Sequence, residues 1–468
     1  MNEENRTNTA VKVPIISKIG YGFGELGSQC SWTLISSYLT LFYTDVVGLT
    51  PVIISAIMMI ARVWDAVNDP MFGSLAENTR TKWGRFRPYI MFGAPILALF
   101  SCLTFLNLDI GNGWKAFWCA FTYIACGMVY TVVNMSTGCL ANSMTTLNTE
   151  RVSLNAYKGF FGGIASLVIS AVAMPMILYF GGGSTSSGKG YFLTALIFAI
   201  VCVPCFWICA GTTKEIVGGG SKKKGENAVI SLLRSFRAVF KDRNAVLLVC
   251  AMLMFLTGVM GRIGIMSYYF VYVLDNAALM SGFATAMSAG MIVVNFYAPY
   301  LLNHIDKKWV GVLSACCEAA CCVIFFLLGQ SGAAFIIVVV GFLYGALNMC
   351  TLVCFTLAGE IIDDNWVRTG IRSDGVIYSC ISFSTKLGNA IGGSIGILAL
   401  GAVGFVANTD MSAGVLTNMN AVINFGPAAF YILAAVFFSL IKMTNQRARD
   451  NEKKIEEMRA AAQPTAQE

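Results

Sequence analysis

Twelve apolar stretches, each about 20 residues or longer, recur along this chain, and no other feature limits its fold so strongly. A helix rising 1.5 Å per residue crosses a hydrocarbon layer ~30 Å thick in about 20 residues. The stretches run near residues 18–43, 50–73, 88–107, 116–141, 157–181, 189–211, 244–273, 278–301, 309–329, 332–359, 375–403 and 420–441. Of the 468 residues 56% are hydrophobic and 12% charged, whereas a soluble domain is about one quarter charged. The expected fold class is therefore an all-α integral membrane protein with twelve transmembrane helices. The first stretch reads as a retained span and not a cleaved signal, because it is long, polar-flecked and lacks a small-residue cleavage site.

Lysine and arginine set the orientation, since they collect on the cytoplasmic side of membrane spans. With both termini cytoplasmic, 27 of the 32 basic residues fall in inner segments, Lys115 and Lys189 fall outside, and Arg62, Arg262 and Lys386 fall within spans. Topology thus explains the net charge of +7. No basic stripe interleaved with aromatics implies a nucleic-acid partner. A single histidine, His304, excludes a multi-histidine metal centre, and no enzymatic chemistry is expected. The 16 cysteines are scattered through apolar stretches, where a free thiol packs as a small hydrophobe. The cluster Cys316, Cys317, Cys321 and Cys322 reads the same way, with a soft-metal site as the alternative.

The longest inner connection, about 212–242, contains GGGSKKKGEN and separates two sets of six spans. The chain divides into a cytoplasmic N-tail (1–17), a six-helix bundle (18–211), a central loop (212–243), a second six-helix bundle (244–441) and a cytoplasmic C-tail (442–468). Six plus six helices joined this way is the pattern of a secondary transporter that alternates access to a site between its halves. No nucleotide-binding loop occurs in the sequence, so an ion gradient is the expected energy source.

Ionisable residues at membrane depth are costly and mark function by default. The acidic ones are Glu25, Asp65, Asp69 and Glu318. Asp65 and Asp69 are one helical turn apart, with Asn68 beside them. Two carboxylates so placed repel unless a proton or cation lies between them, which describes a hard-cation site of oxygen ligands. Asp65 and Thr131 each lie ~22 Å from the outer ends of their helices, so a hydroxyl at matching depth completes the set. The competing reading pairs Asp65 with Arg62 as a structural ion pair, although one arginine does not neutralise two carboxylates.

The stretch ARVWDAVNDPMFGSLAENTRTKWGRFRPYI (61–90) resembles the hallmark of the glycoside-pentoside-hexuronide:cation symporters, a branch of the major facilitator superfamily that includes melibiose and glucuronide carriers. YGFGELG (21–27), YTDVVGL (43–49), YTVVN (130–134) and TGIRSDGVIYS ahead of Lys386 extend the resemblance over nearly the whole chain. It implies a major facilitator fold in the cell membrane, working as a monomer, with the bilayer, a small-molecule glycoside and a monovalent cation as partners. It implies no cofactor beyond the coupling cation, Na⁺ or H⁺, with Li⁺ possible. The implied cation ligands are Asp65, Asn68, Asp69 and Thr131.

Substrate residues depart from the melibiose pattern. Melibiose carriers place Lys-Asp where Ser28 and Gln29 stand, an aspartate at Asn134 and a tryptophan at Gly138. Gln29 and Asn134 can still hydrogen-bond sugar hydroxyls, and the Asn134 and Gly138 pattern is similar to that of glucuronide carriers. Three basic residues favour an acidic sugar. Lys386, ~16 Å deep, matches a family lysine, and Lys158 is close to a basic family position. Arg262 has no family counterpart; it can clamp a carboxylate or pair with Glu318. The expected substrate is a glucuronide, another uronide or a pentoside. The alternatives are a sodium-coupled lysolipid carrier of the same superfamily and a non-transporting sugar sensor. Glu25 reads as a gating or packing group. Glu77, Arg85 and Arg87, with Asp363 and Arg372 in the second half, read as charge latches on the inner loops or as topology charge solvated in the cytoplasm.

Overall fold

In lipid, a spanning segment must satisfy its backbone N–H and C=O groups within itself, and a helix does so. The computed structural model, which describes residues 12–79, 81–145, 147–216, 242–328, 333–369 and 374–462, is helical throughout, with only an isolated bridge between Thr81 and Gly84 among those residues. The helices are α1 (Ile15–Asp45), α2 (Pro51–Asn78), α3 (Arg87–Thr104), α4 (Asn112–Met144), α5 (Asn148–Phe180), α6 (Gly188–Thr212) and α7 (Arg243–Tyr268). There follow α8 (Leu279–His304), α9 (Lys307–Leu328), α10 (Ala334–Ala346), α11 (Cys350–Thr369), α12 (Asp374–Ala402), α13 (Ala413–Leu440) and α14 (Asn445–Ala462). Among the described residues, nine spans are long and apolar enough to cross a membrane. Helices α1, α2 and α12 are not among them, and these are the helices that carry Glu25, Asp65 and Lys386.

The stretch expected at 332–359 is not one helix. It breaks between α10 and α11, and the Ser314 hydroxyl of α9 serves the break by donating to Leu347 O at 2.5 Å and accepting from Met349 N at 3.0 Å. The charged tail forms α14, which Arg447 ties to α11 through two bonds to Asp364, at 2.7 and 2.8 Å.

Two compact units divide the fold. The first joins α1–α6 to the segments Phe270–Ser288 and Phe405–Met411; the second holds α7, the rest of α8, α9–α12 and the chain from Ser412. The units therefore depart from the two sequence halves at two connections. Asn408 explains one of them: its Nδ2 donates to Asp45 O (2.8 Å), its Oδ1 accepts from Ser186 Oγ (2.7 Å), and its N–H donates to the Tyr272 hydroxyl (3.2 Å). Its φ of 55° is one that asparagine tolerates better than most residues.

In the first unit α1 packs on α5 and α6, α2 on α4, and α3 on α4 and α6. In the second, α7 packs on α12 and α13, and α9 on α13. The α7–α12 approach depends on small residues one turn apart. A Cβ on Gly392 would stand 2.3 Å from Thr257 O, so any larger residue there separates the two helices.

Candidate functional site

Helical spacing places Glu25, Gln29 and Thr33 on one face of α1, each a turn from the next. They form a polar ladder, in which Thr33 Oγ1 donates to Gln29 Oε1 (3.1 Å) and Gln29 Nε2 donates to Glu25 Oε1 (3.1 Å). From α5, Lys158 Nζ lies 3.4 Å from Glu25 Oε2, with side-chain exposures of 28% and 17%. Glycine permits this meeting, because a Cβ on Gly162 would stand 2.9 Å from Glu25 Cγ. Glu25 thus neutralises Lys158 and orients the Gln29 amide.

On α2, Arg62 Nη1 and Asp65 Oδ2 are 3.4 Å apart, with exposures of 22% and 26%. The contact is a single long one between two largely buried side chains. Arg62 also lies over Trp32 of α1, 5.2 Å from the ring centroid, and Trp32 stacks on Tyr130 of α4 with centroids 5.1 Å apart. Asp65 Oδ1 reaches the surface of α4, 3.3 Å from where a Cβ on Gly127 would stand. Thr131 is one turn beyond Gly127 on the same face of that helix. Asn68 is buried, and its Nδ2 has no hydrogen-bond partner among the described residues. Asp69 and Glu77 lie on α2 with side chains outside the described set.

Asn134 Nδ2 donates to the Tyr130 hydroxyl at 3.5 Å, and the Cβ direction of Gly138, one turn on, is open. Trp32 and Tyr130 thus supply an aromatic surface from positions other than Gly138. Sequence reasoning missed Thr33, Trp32 and Tyr130. Their signal was helical spacing, since Thr33 is four residues from Gln29, Trp32 three from it, and Tyr130 four from Asn134.

Arg262 and Lys386 belong to the second unit. Arg262 on α7 is 2% exposed, and its Nη1 donates to Cys322 Sγ of α9 (2.9 Å) and Asn424 Oδ1 of α13 (3.2 Å). Lys386 is exposed on α12.

The loop after α2 is held by a residue the sequence did not single out. Glu215, three residues past α6, accepts from the backbone N–H of Arg85 (2.8 Å), Phe86 (2.9 Å) and Arg87 (3.0 Å), and so caps the start of α3. Gly84 makes room for it: its φ is 113°, and a Cβ would meet Glu215 Oε1 at 2.5 Å. Arg87 Nε donates to Ala210 O of α6 at 2.7 Å. Nearby, Lys18 pairs with Glu150 at 2.8 Å, and that hydrogen bond holds the Glu150 carboxyl below the usual carboxylate range. In the second unit Glu360 pairs with Lys307, and Arg368 with Asp242 at 2.8 Å. Asp363 is half-buried on α11, and Arg372 lies outside the described residues.

A bundle of apolar helices with polar pairs among them, in two compact units, is an architecture that membrane transporters share. In keeping with this, the fold matches a D-xylose-proton symporter with a TM-score of 0.64 over 92% of this chain and 98% of that one, at 13% identity. It matches a bacterial homolog of the human lysosomal transporter Spinster with a TM-score of 0.65, over 93% and 97%, at 11% identity. The family model described as MFS/sugar transport protein matches residues 20–445, and the chain belongs to that family. It is 31% identical over 459 residues to the Isoprimeverose transporter of Lactiplantibacillus pentosus, covering 96% of this chain and 94% of that protein. Identity is 29% to the Putative glycoside/cation symporter YagG of Escherichia coli (strain K12), covering 95% of each. It is 25% to the Glucuronide carrier protein homolog of the same organism, covering 94% and 96%. The family expected from the motifs is the one found, and it is a family of transporters, not enzymes.

Proposed function

We propose that the protein is a cation-coupled symporter that carries a neutral, pentose-type glycoside across the cell membrane by alternating access, as a monomer with both termini cytoplasmic. Na⁺ or H⁺ binds among Asp65, Asn68, Asp69 and Thr131, and the sugar is held by Gln29 and Asn134 beside the Trp32–Tyr130 surface. The carrying observation for the cation is the placement of the Asp65 carboxylate, with Oδ2 facing Arg62 at 3.4 Å and Oδ1 against α4 at Gly127, one turn of that helix from Thr131. Carboxylate, amide and hydroxyl oxygens are the ligands that a hard cation takes.

The preference for a neutral sugar rests on where the positive charges go. Lys158 is neutralised by Glu25, and Arg262 is enclosed within the second unit. Lys386 on α12 and Arg62 over the Trp32 ring are the basic residues at membrane depth that favour an acid. Isoprimeverose carries no charge, so the name of the 31% relative supports the same reading. A uronide is the second reading, favoured by Lys386 and by the glucuronide carrier homolog.

Uptake by purified protein in liposomes tests both. Radiolabelled isoprimeverose and a radiolabelled aryl glucuronide are supplied separately, with and without an imposed inward Na⁺ or proton gradient. Gradient-driven accumulation of the neutral sugar above the glucuronide is the expected result. Preference for the glucuronide selects the second reading, and absence of gradient-driven accumulation of any glycoside refutes cation-coupled sugar symport.

A further inference from the structure

Two ionisable side chains lie sealed inside the second unit, apart from the candidate cation and sugar residues. Glu318 on α9 has no exposed surface, and neither of its carboxylate oxygens has a hydrogen-bond partner among the described residues. Arg262 commits Nη1 to Cys322 and Asn424, while its Nε and Nη2 are equally without partners among those residues. Its planar faces are covered by Phe325 of α9 and Tyr344 of α10, with Cζ 4.8 and 5.0 Å from the ring centroids. Tyr344 in turn hydrogen-bonds the Tyr431 hydroxyl of α13 at 2.5 Å.

Glu318 precedes Cys322 by one helical turn, so the carboxylate and the guanidinium flank the same sulfur. The two act on each other electrostatically, yet they form no ion pair within 4.0 Å. Arginine does not give up its proton in proteins. Leaving its donors and two carboxylate oxygens unmet in an apolar interior is unfavourable on every count. A ligand for this place must accept hydrogen bonds from the guanidinium and donate them to the carboxylate. A metal cation is repelled by the arginine, and an anion leaves the carboxyl oxygens unmet. Water meets both needs, being neutral and able to donate and accept.

We propose that Arg262 and Glu318 form a water-binding site, a water-bridged pair that fastens α7, α9, α10 and α13 into one rigid body. The site is distinct from the candidate cation and sugar residues of the first unit.

Thermal unfolding of the full-length protein tests the pairing, using Arg262→Met, Glu318→Met and the double variant. Each single change strands one charge and lowers the melting temperature more than the double change does. Losses that simply add overturn the pair. Where Arg262→Met or Glu318→Met does not yield folded protein, the nearly isosteric Glu318→Gln keeps the test. It must also lower the melting temperature, and an unchanged value overturns the proposal. Radiolytic hydroxyl-radical labelling tests the water, because bound water generates radicals inside a protein. Labelling of Cys322 and Phe325 in the wild type, lost in the double variant, is expected. Thermal coupling without labelling overturns the bridging water.

Discussion

Lys158 and Glu25 of the first unit meet at 3.4 Å with 28% and 17% of their side chains exposed, whereas Arg262 and Glu318 of the second unit are 2% and 0% exposed and form no direct pair. Both couples join neighbouring helices, but they serve opposite ends. A partly exposed, long pair can exchange partners as a ligand arrives. A sealed pair cannot exchange without a large desolvation cost, so it suits a structural role. The difference teaches that membrane depth alone does not mark a ligand site; access to the side chain must accompany it.

The contrast can be broken by exchanging which property each pair controls. Lys158→Gln leaves Glu25 uncompensated and turns the Gln29 amide. We expect the KM for sugar to rise about tenfold, since a hydrogen bond to a charged group contributes about 1.5–3 kcal/mol. The melting temperature stays near that of the wild type. A thermal loss with unchanged KM would place this pair with Arg262 and Glu318 and erase the distinction. A smaller effect is expected at Glu215, whose carboxylate caps α3 from outside the site. Glu215→Gln keeps one acceptor oxygen and should cost roughly 1 kcal/mol of stability, read as a modest fall in melting temperature with KM unaltered. A KM change there would mean that the loop after α2 communicates with the sugar site.

Much of the fold was legible because apolar length is a property of the sequence itself. The break between α10 and α11 was not, since residues 347–349 are compatible with a helix and the hydroxyl that serves the break comes from Ser314 on α9. The face shared by Asp65 and Asn68 followed from helical periodicity and the candidacy of Glu25 from its depth, whereas Gln29 was singled out by the family resemblance. Arg262 shows the limit of such reasoning. Counting residues along α7 gives its depth but not its side, and only packing reveals that it points at Cys322 and Asn424. Glu215 was invisible for a related reason. It follows α6 at the head of a charge-rich stretch of sequence, and its role depends on three N–H groups some 130 residues earlier in the chain.

The central claim is that a cation at Asp65 strengthens sugar binding, and linkage requires the strengthening to be mutual. Calorimetric titration of the neutral glycoside into purified protein, with and without saturating Na⁺ and across pH, measures it directly. The account predicts that the cation lowers the sugar Kd in the wild type and that Asp65→Asn abolishes this dependence while the variant remains folded. A wild type whose sugar affinity ignores both Na⁺ and pH, or an Asp65→Asn variant with undiminished cation dependence, would contradict it.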